Sequence, residues 1–376
     1  MKFQIAQTTF QVAEELYHST QFTITSSPKP YQVSWDESEN PCQVINEKLA
    51  KNINNVLLID EKVYGLYRNR LQHHAAQVIF VSALETSKTL SGAEEVFNIL
   101  YEKNFTKSNE LIVVGGGITQ DIGAFIGATY KRGIKWYFFP TTLLAMSDSC
   151  IGAKSGLNYK DAKNQLALFS APTEIIINTK FIETLEQRDI KSGLGEILKL
   201  YIIGGQEFIE KYKLWVQNGQ VKHHENYQLL IQSALLIKKA VIEKDEFEYH
   251  ERKALNYGHT FGHVLESMSN YQIPHGIAVV LGIMIINQIS CDEGFLANNH
   301  HKVINEICKD LLDDSALNYL KTVDIYEIFN YLKLDKKVAG DIITFVILRH
   351  FGDIGFMPIN INDVLADKIK NAISSF

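Results

Sequence analysis

The sequence has few of the features that mark secreted, membrane-embedded or nucleic-acid-binding proteins. Its four cysteines are far apart in 376 residues, which excludes a disulfide framework or a zinc ribbon and indicates a reducing, cytoplasmic environment. No signal-peptide-like apolar segment follows Met1. The most apolar run, Ile277 to Ile286, is too short to span a bilayer and is predicted to be a buried helix. The net charge of −6 predicts no general attraction to nucleic acid or anionic membranes.

What the chain does have is enough length for two domains. With 46% hydrophobic and 21% charged residues, it has the composition of a soluble globular protein. In residues 1–180 short apolar runs alternate with amphipathic stretches, which predicts a mainly parallel sheet covered by helices, with an edge strand or hairpin near Phe22. Residues 181–376 show mostly helical periodicity and are predicted to form a second domain. The predicted strands are Val56–Asp60, Val78–Val81, Leu111–Val114, Trp136–Phe139, Ile175–Ile177 and, near the C-terminus, Ile342–Leu348.

A glycine run follows one of these strands. Gly115, Gly116 and Gly117 stand between an apolar strand and an amphipathic run, so their backbone N–H groups can bind a pyrophosphate at a helix N-terminus. The pattern is not GxGxxG, and it predicts a phosphate cradle without a specific topology. Asp60 ends the first strand, where it could bind a ribose hydroxyl or, equally well, cap a helix.

Residues 140–164 are rich in polar side chains among small residues. Asp148, Lys154, Lys163 and Asn164 are interspersed with glycine in an apolar setting. We predict a loop that lines a polar ligand, and the alternative is a solvated surface loop.

The histidines near residue 260 predict a metal site. His259 and His263 are four residues apart and share one face if the segment is helical, and His275 follows closely. Three such groups can bind a catalytic metal ion, although two histidines at this spacing also occur in ordinary packed or surface helices. Gly258 and Gly262 precede the first two histidines and predict a close approach to the helix. Glu196, on an apolar helix with Lys199, is the candidate for a fourth ligand.

Taken in order, these motifs resemble those of the dehydroquinate synthase family and, more broadly, of the sugar phosphate cyclases. The resemblance covers about Val56 to Met357 and implies an α/β N-terminal NAD-binding domain plus a mostly α-helical C-terminal metal-binding domain, related to iron-containing alcohol dehydrogenases. The blocks that carry it are Gly115–Gly117 with Asp121, Tyr130–Gly133, Pro140–Ala145, Asp148–Lys154, Lys163–Asn164, Glu196–Lys199, Asn256–His263 and Asp335–Lys337.

The resemblance also implies roles for single residues. Glu196, His259 and His275 would bind a divalent metal, zinc or cobalt, whereas His263 would face the substrate. The implied NAD-binding residues are Asp60, Glu85, Lys88, Gly115, Gly116, Gly117, Asp121, Thr141, Thr142, Lys154 and Lys163. The implied catalytic and substrate-binding residues are Asp148, Lys154, Asn164, Lys199, Lys238, Glu248, Arg252, Asn256, His263 and Lys337, or its neighbour Lys336.

The implied reaction converts a seven-carbon sugar acid phosphate into a carbocycle. It runs through transient oxidation by NAD, loss of phosphate, return of the hydride, ring opening and aldol closure, in a homodimer to which Arg132 could contribute across the interface. Gly195 before Glu196 is closer to the 2-epi-5-epi-valiolone synthases, which act on sedoheptulose 7-phosphate, but Lys238, Arg252 and Asn256 favour a substrate with a carboxylate. A metal- and NAD-dependent alcohol dehydrogenase is the other alternative.

Overall fold

The computed structural model describes residues 1–27, 29–160, 162–333, 338–339 and 341–376. These form two compact units, one of Met1–Tyr17 with Gln187–Phe376 and one of His18–Glu186. We predicted a division at residue 180 with the N-terminus in the first domain. The structure instead assigns the first 17 residues to the C-terminal unit, because their first strand pairs with a strand near the C-terminus.

Regular elements follow one another closely along the chain. In chain order they are β1 (Lys2–Ile5), β2 (Thr8–Gln11), β3 (Gln21–Ile24), β4 (Tyr31–Trp35), α1 (Gln43–Ala50), β5 (Val56–Asp60), α2 (Glu61–Tyr67), β6 (Val78–Val81), α3 (Leu90–Glu102), β7 (Glu110–Gly115), α4 (Gly117–Thr129), β8 (Lys135–Pro140), β9 (Lys154–Tyr159), β10 (Ala162–Phe169), β11 (Glu174–Ile177), α5 (Gln187–Gly204), α6 (Gln206–Trp215), β12 (Val216–Gln217), β13 (Gln220–Val221), α7 (Glu225–Lys244), α8 (His259–Met268), α9 (His275–Asp292), α10 (Asn298–Leu311), α11 (Asp314–Thr322), α12 (Ile325–Lys333), β14 (Val338–Ala339), β15 (Ile342–His350), β16 (Asp353–Asn360) and α13 (Asp363–Ser374).

The unit His18–Glu186 is built on a sheet with strand order β3-β4-β11-β8-β7-β5-β6. All pairs are parallel except β3 with β4, so the predicted parallel sheet and the predicted edge strand near Phe22 are confirmed. β5 and β7 are almost fully buried, as expected for strands covered on both faces. Ligands of such sheets bind at the carboxyl ends of the strands.

Residues 140–164 are more regular than predicted. Ala145–Ser149 forms a single π-helical turn, and β9 (Lys154–Tyr159) pairs antiparallel with β10 (Ala162–Phe169). The prediction of a loop is therefore wrong, because β9 and β10 satisfy each other's backbone groups.

The other unit combines helices with the sheet β14-β15-β16-β1-β2. β1 pairs in parallel with β16, with Gln4 opposite Asp353, and antiparallel with β2. Helix α5 packs against α7 and α9, and α8 packs against α9. Three of these helices carry the predicted metal ligands.

Helix α9 is the core helix of this unit. By length and composition it is the one described helix that could cross a membrane, but 78% of its apolar window is buried inside the protein. The buried helix predicted from Ile277 to Ile286 is therefore confirmed and extends from His275 to Asp292.

Candidate active site

In the α/β unit, the turn between β7 and α4 forms the predicted glycine cradle. Gly115 ends β7, Gly116 is the N-cap of α4, and no side chain caps this helix end. A Cβ at Gly115 would lie 2.5 Å from the Thr119 hydroxyl oxygen, and one at Gly116 would lie 3.1 Å from a Thr142 methyl carbon. Glycine thus permits this close packing and leaves backbone N–H groups at a helix N-terminus, where phosphate binds.

Asp60 lies beside this turn, because β5 pairs with β7 and places Ile59 opposite Val114. Its Oδ1 accepts hydrogen bonds from the backbone N–H groups of Lys62 (2.6 Å) and Val63 (3.1 Å). The structure therefore shows the helix cap that was one of the two interpretations of Asp60. Contact with a ribose at the same strand end stays a prediction.

Lys88 is the centre of a polar cluster in the same unit. Its Nζ donates to Asp121 Oδ2 (3.0 Å) and Asn164 Oδ1 (2.8 Å) and lies 3.3 Å from Glu85 Oε1. Lys163 Nζ is 3.8 Å from the same Glu85 oxygen. Burial raises the pKa of Asp121 to about 6, although the Lys88 ammonium opposes the shift. Five residues to which the family resemblance assigned a role in NAD or substrate binding are therefore in one cluster.

The residues just before the π-helical turn lie next to the glycine cradle. Thr141 donates its backbone N–H to Gly115 O (3.0 Å), and its buried Oγ1 has no hydrogen-bond partner among the described residues. Thr142 Oγ1 accepts from the backbone N–H of Ala145 (3.2 Å), the first residue of the π-helical turn that carries the buried Asp148. An unpaired buried hydroxyl beside an uncapped helix end fits a site that a bound dinucleotide would complete.

In the helical unit, three elements bring together the predicted metal ligands. Glu196 of α5 is 1% exposed, and its Oε1 lies 3.0 Å from His275 Nε2 and 3.5 Å from His259 Nε2. A tetrahedral ion with bonds of about 2.0–2.1 Å separates neighbouring ligand atoms by about 3.3 Å. The two observed distances bracket this value, so the donor set fits a zinc-type ion.

In both His259 and His275, a hydrogen bond at Nδ1 orients the imidazole ring. His259 Nδ1 lies 3.2 Å from the Tyr257 carbonyl oxygen, which can only accept, so Nδ1 carries the proton and Nε2 keeps its lone pair. His275 Nδ1 lies 3.1 Å from Glu266 Oε2. Burial would lower the pKa of His275, but hydrogen bonds to Glu196 and Glu266 outweigh it and raise the pKa to about 10. So much negative charge around one imidazole indicates a site for a cation.

His263 completes a three-histidine cluster. The ligand nitrogens of His259, His263 and His275 lie within 4.8 Å of one another. His263 is exposed, whereas His259 is buried and His275 half-buried. Lys199 forms an ion pair with Glu196, its Nζ 2.6 Å from Glu196 Oε2.

Glycines let the ligand-bearing helices approach closely. A Cβ at Gly276 would lie 1.8 Å from Ser192 O of α5, and one at Gly195 would lie 2.4 Å from Gly276 O. Gly258 has φ +78 and is the N-cap of α8, so the helix begins at His259. The predicted close approach at Gly258 and Gly262 is confirmed, and the approaching group is the α9 backbone.

The segment that follows α7 carries the remaining predicted residues. Asp245 accepts from the backbone N–H groups of Tyr249 (2.9 Å), His250 (2.8 Å) and Arg252 (3.0 Å). Burial alone would raise the pKa of Asp245, but these three donors outweigh it and lower the pKa. A short 3₁₀ helix, Glu251–Asn256, then holds Arg252, which is 2% exposed.

Comparison with known proteins identifies the family. The model of the 3-dehydroquinate synthase N-terminal domain matches residues 78–192, and that of the C-terminal domain matches residues 193–338. The 3-dehydroquinate synthase of Clostridium tetani is 34% identical over 307 residues, which cover 80% of this chain and 81% of that protein. The chain belongs to the 3-dehydroquinate synthase family. The Campylobacter hominis enzyme is 30% identical over 90% of this chain and 99% of its own length.

Solved structures confirm the fold of the family. A 2-deoxy-scyllo-inosose synthase complexed with carbaglucose-6-phosphate, NAD+ and Co2+ has a TM-score of 0.79 at 19% identity and covers 94% of this chain and 100% of its own. A 2-epi-5-epi-valiolone synthase from Streptomyces hygroscopicus with NAD+ and Zn2+ bound has a TM-score of 0.77 at 20% identity, with coverages of 93% and 98%. An iron-containing alcohol dehydrogenase from Corynebacterium glutamicum is more distant, with a TM-score of 0.59 at 12% identity. It covers 90% of this chain and 94% of its own.

The remaining residues implied by the resemblance lie on other elements or outside the described residues. Lys238 is buried on α7, and Lys154 is exposed at the start of β9. Asn256 Nδ2 donates to Glu248 Oε1 (2.5 Å) just before α8. Lys337 and Lys336 lie outside the described residues.

Sequence reasoning missed several residues of the site. Ser149 Oγ donates to Gln120 Oε1 (2.7 Å), and Gln120 Nε2 donates to Ser149 O (2.8 Å), which ties α4 to the turn with Asp148. Glu266 was also missed. Glu266 is seven residues after His259, a spacing that puts both on one face of a helix, and this spacing could have identified it.

A test of the helix crossing is the substitution Gly276→Ala. The new methyl group would meet Ser192 O at 1.8 Å, so α5 and α9 must separate, and we expect a loss of about 1–3 kcal/mol or more of the free energy of unfolding. Gly65→Ala in α2 is the control, because no atom lies within 4 Å, and it should gain about 0.5–1 kcal/mol. Urea unfolding of both variants measures the difference. Equal stability of Gly276→Ala and the parent chain would contradict the close crossing.

Proposed function

We propose that the chain is a 3-dehydroquinate synthase that cyclises 3-deoxy-arabino-heptulosonate 7-phosphate with release of phosphate. The family consists of lyases that depend on NAD and a divalent metal, and the relatives at 30–34% identity carry the name of this activity. The 2-epi-5-epi-valiolone and 2-deoxy-scyllo-inosose synthases are only 19–20% identical.

The observation that carries the proposal is a set of buried cations in the unit that holds the metal ligands. Lys199, Lys238 and Arg252 are 2%, 8% and 2% exposed in a chain of net charge −6. Lys199 also contacts the Glu196 carboxylate, but three buried cations in a chain of net negative charge favour a site for anions. A substrate with both a phosphate and a carboxylate matches this set, whereas the uncharged substrate of a simple alcohol dehydrogenase would not need it.

When bound, NAD supplies a reversible hydride acceptor and the divalent ion a Lewis acid. Asp60, the glycine cradle and the Lys88 cluster would bind the dinucleotide. Glu196, His259 and His275 would hold the metal ion. The exposed imidazole of His263, beside these residues, would exchange a proton with a substrate hydroxyl.

Backbone strain supports a role for two further residues. Asn164 and Glu248 have positive φ values of 52° and 63°, a conformation that costs energy for residues other than glycine. Both were predicted to contact the substrate, and both make side-chain hydrogen bonds in this conformation, Asn164 with Lys88 and Glu248 with Asn256. We infer that these bonds fix their side chains for substrate binding.

Phosphate release in the presence of NAD+ and zinc or cobalt tests the function. We expect turnover of 3-deoxy-arabino-heptulosonate 7-phosphate without net formation of NADH, because the hydride returns to the intermediate. NADH that accumulates in proportion to product would indicate a dehydrogenase. Faster cyclisation of sedoheptulose 7-phosphate would indicate a valiolone-type enzyme.

We further propose that the enzyme is a cytoplasmic homodimer. All four cysteines are free, which suits a reducing compartment. Arg132 is exposed on a turn where Lys131 and Arg132 have φ values of 49° and 63°, so its guanidinium is available to a neighbouring subunit. Light scattering coupled to size exclusion would measure the mass in solution.

A further inference from the structure

We propose that Glu266 is a positioning residue of the metal site, and that its carboxylate fixes the tautomer and the orientation of His275. The inference rests on the proposed metal site and extends it to a residue outside the ligand set. It implies that one helix, α8, controls both imidazole ligands.

The first argument is the geometry of the His275 ring. Glu266 Oε2 lies 3.1 Å from Nδ1, and Glu196 Oε1 lies 3.0 Å from Nε2. An ionised carboxylate can only accept a hydrogen bond, so Glu266 keeps a proton on Nδ1. Nε2, on the side of Glu196, is then the nitrogen whose proton a metal ion would replace. Glu266 is 8% exposed, so water competes little for this bond.

The second argument is the spacing along α8. His259, His263 and Glu266 are at positions i, i+4 and i+7 and lie on one face of the helix. His275 is the first residue of α9, and Gly262 lets α9 pass close to α8. α8 therefore supplies one ligand directly and holds the other through Glu266.

The third argument is the contrast between the two histidines. His259 is held by the carbonyl of Tyr257, a neutral acceptor that the backbone fixes. His275 is held by a negatively charged side chain, which makes its imidazole a stronger electron donor to a metal. The Glu266 backbone is itself fixed, because its carbonyl accepts from Ser269 Oγ (2.9 Å) and Tyr271 N (3.0 Å).

The test compares Glu266→Ala and Glu266→Gln with the parent chain. Cobalt titration of the metal-free protein gives the dissociation constant, and the visible spectrum of the saturated protein reports the ligand field. Glu266→Ala should weaken cobalt binding about 10–100-fold. Glu266→Gln keeps an acceptor oxygen and should lose less, but its saturated spectrum should differ from that of the parent because the charge is gone.

Glu306→Gln on the exposed face of α10 is the matched control and should change neither quantity. A merely structural role of Glu266 would lower the thermal midpoint and leave the saturated cobalt spectrum unchanged, which would overturn the inference. Parent-like affinity and spectra in both variants would overturn it as well. If the parent chain itself bound no cobalt, the proposed metal site would be wrong, and this outcome is distinct from a failure of Glu266 alone.

Discussion

Replacing His259 with alanine should remove the bound metal ion and lower kcat/KM about 1000-fold or more, because a Lewis-acid metal contributes several kcal/mol to transition-state stabilisation. His259 Nε2 lies 3.5 Å from Glu196 Oε1, and the tautomer fixed by Tyr257 directs this nitrogen to the ligand set. The two measurements are the metal content per chain, by inductively coupled plasma mass spectrometry, and the rate of phosphate release.

His263→Ala is the matched variant, on the same helix face one turn further. Because His263 is exposed and is proposed to contact the substrate, this variant should keep its metal and still lose turnover. Loss of metal to the same extent as in His259→Ala would show that the three histidines form the ligand set. Full metal content in His259→Ala would contradict the assignment of Glu196, His259 and His275.

The parallel sheet could be predicted from sequence because each buried strand is a short apolar run of its own. β5 and β6 have the predicted bounds, β7 and β8 each extend one residue further at both ends, and β11 begins one residue earlier. β1 was not predicted, because its partner β16 is about 350 residues away and no local sequence pattern predicts such a pairing. The hairpin β9–β10 was missed because its mixed polar and small residues carry no clear alternation.

The candidate site, too, could be predicted only in part. His259 and His263 were linked by helical spacing alone, and the structure places them together. Glu196 was chosen as a carboxylate on a buried helix, and that argument led to the residue 3.0 Å from His275. The Lys88 cluster could not be derived from the residues themselves, because Glu85, Asp121 and Asn164 are on different elements, and only the family resemblance grouped them.

Arg252→Ala should distinguish substrates with and without a carboxylate. Charge-assisted hydrogen bonds contribute about 1.5–3 kcal/mol each, and a guanidinium can make two to one carboxylate. We therefore expect kcat/KM for 3-deoxy-arabino-heptulosonate 7-phosphate to fall about 100-fold or more. The smaller rate with sedoheptulose 7-phosphate, which lacks the carboxylate, should change little.

The contacts of Arg252 suit it to bind a carboxylate. Asp245 fixes the Arg252 backbone, and Arg252 Nη1 donates to the Glu246 carbonyl, so the guanidinium is held by the loop that carries it.

Arg252→Lys keeps the charge but not the bidentate geometry, so its kcat/KM should lie between those of the parent and alanine variants. Lys253→Ala removes the adjacent exposed cation and should leave both substrates unaffected. Metal content and thermal midpoint exclude misfolding. An equal loss of kcat/KM for both substrates in a folded, metal-loaded Arg252→Ala variant would contradict carboxylate recognition by Arg252, and the valiolone-like Gly195 would then be the better guide to the substrate.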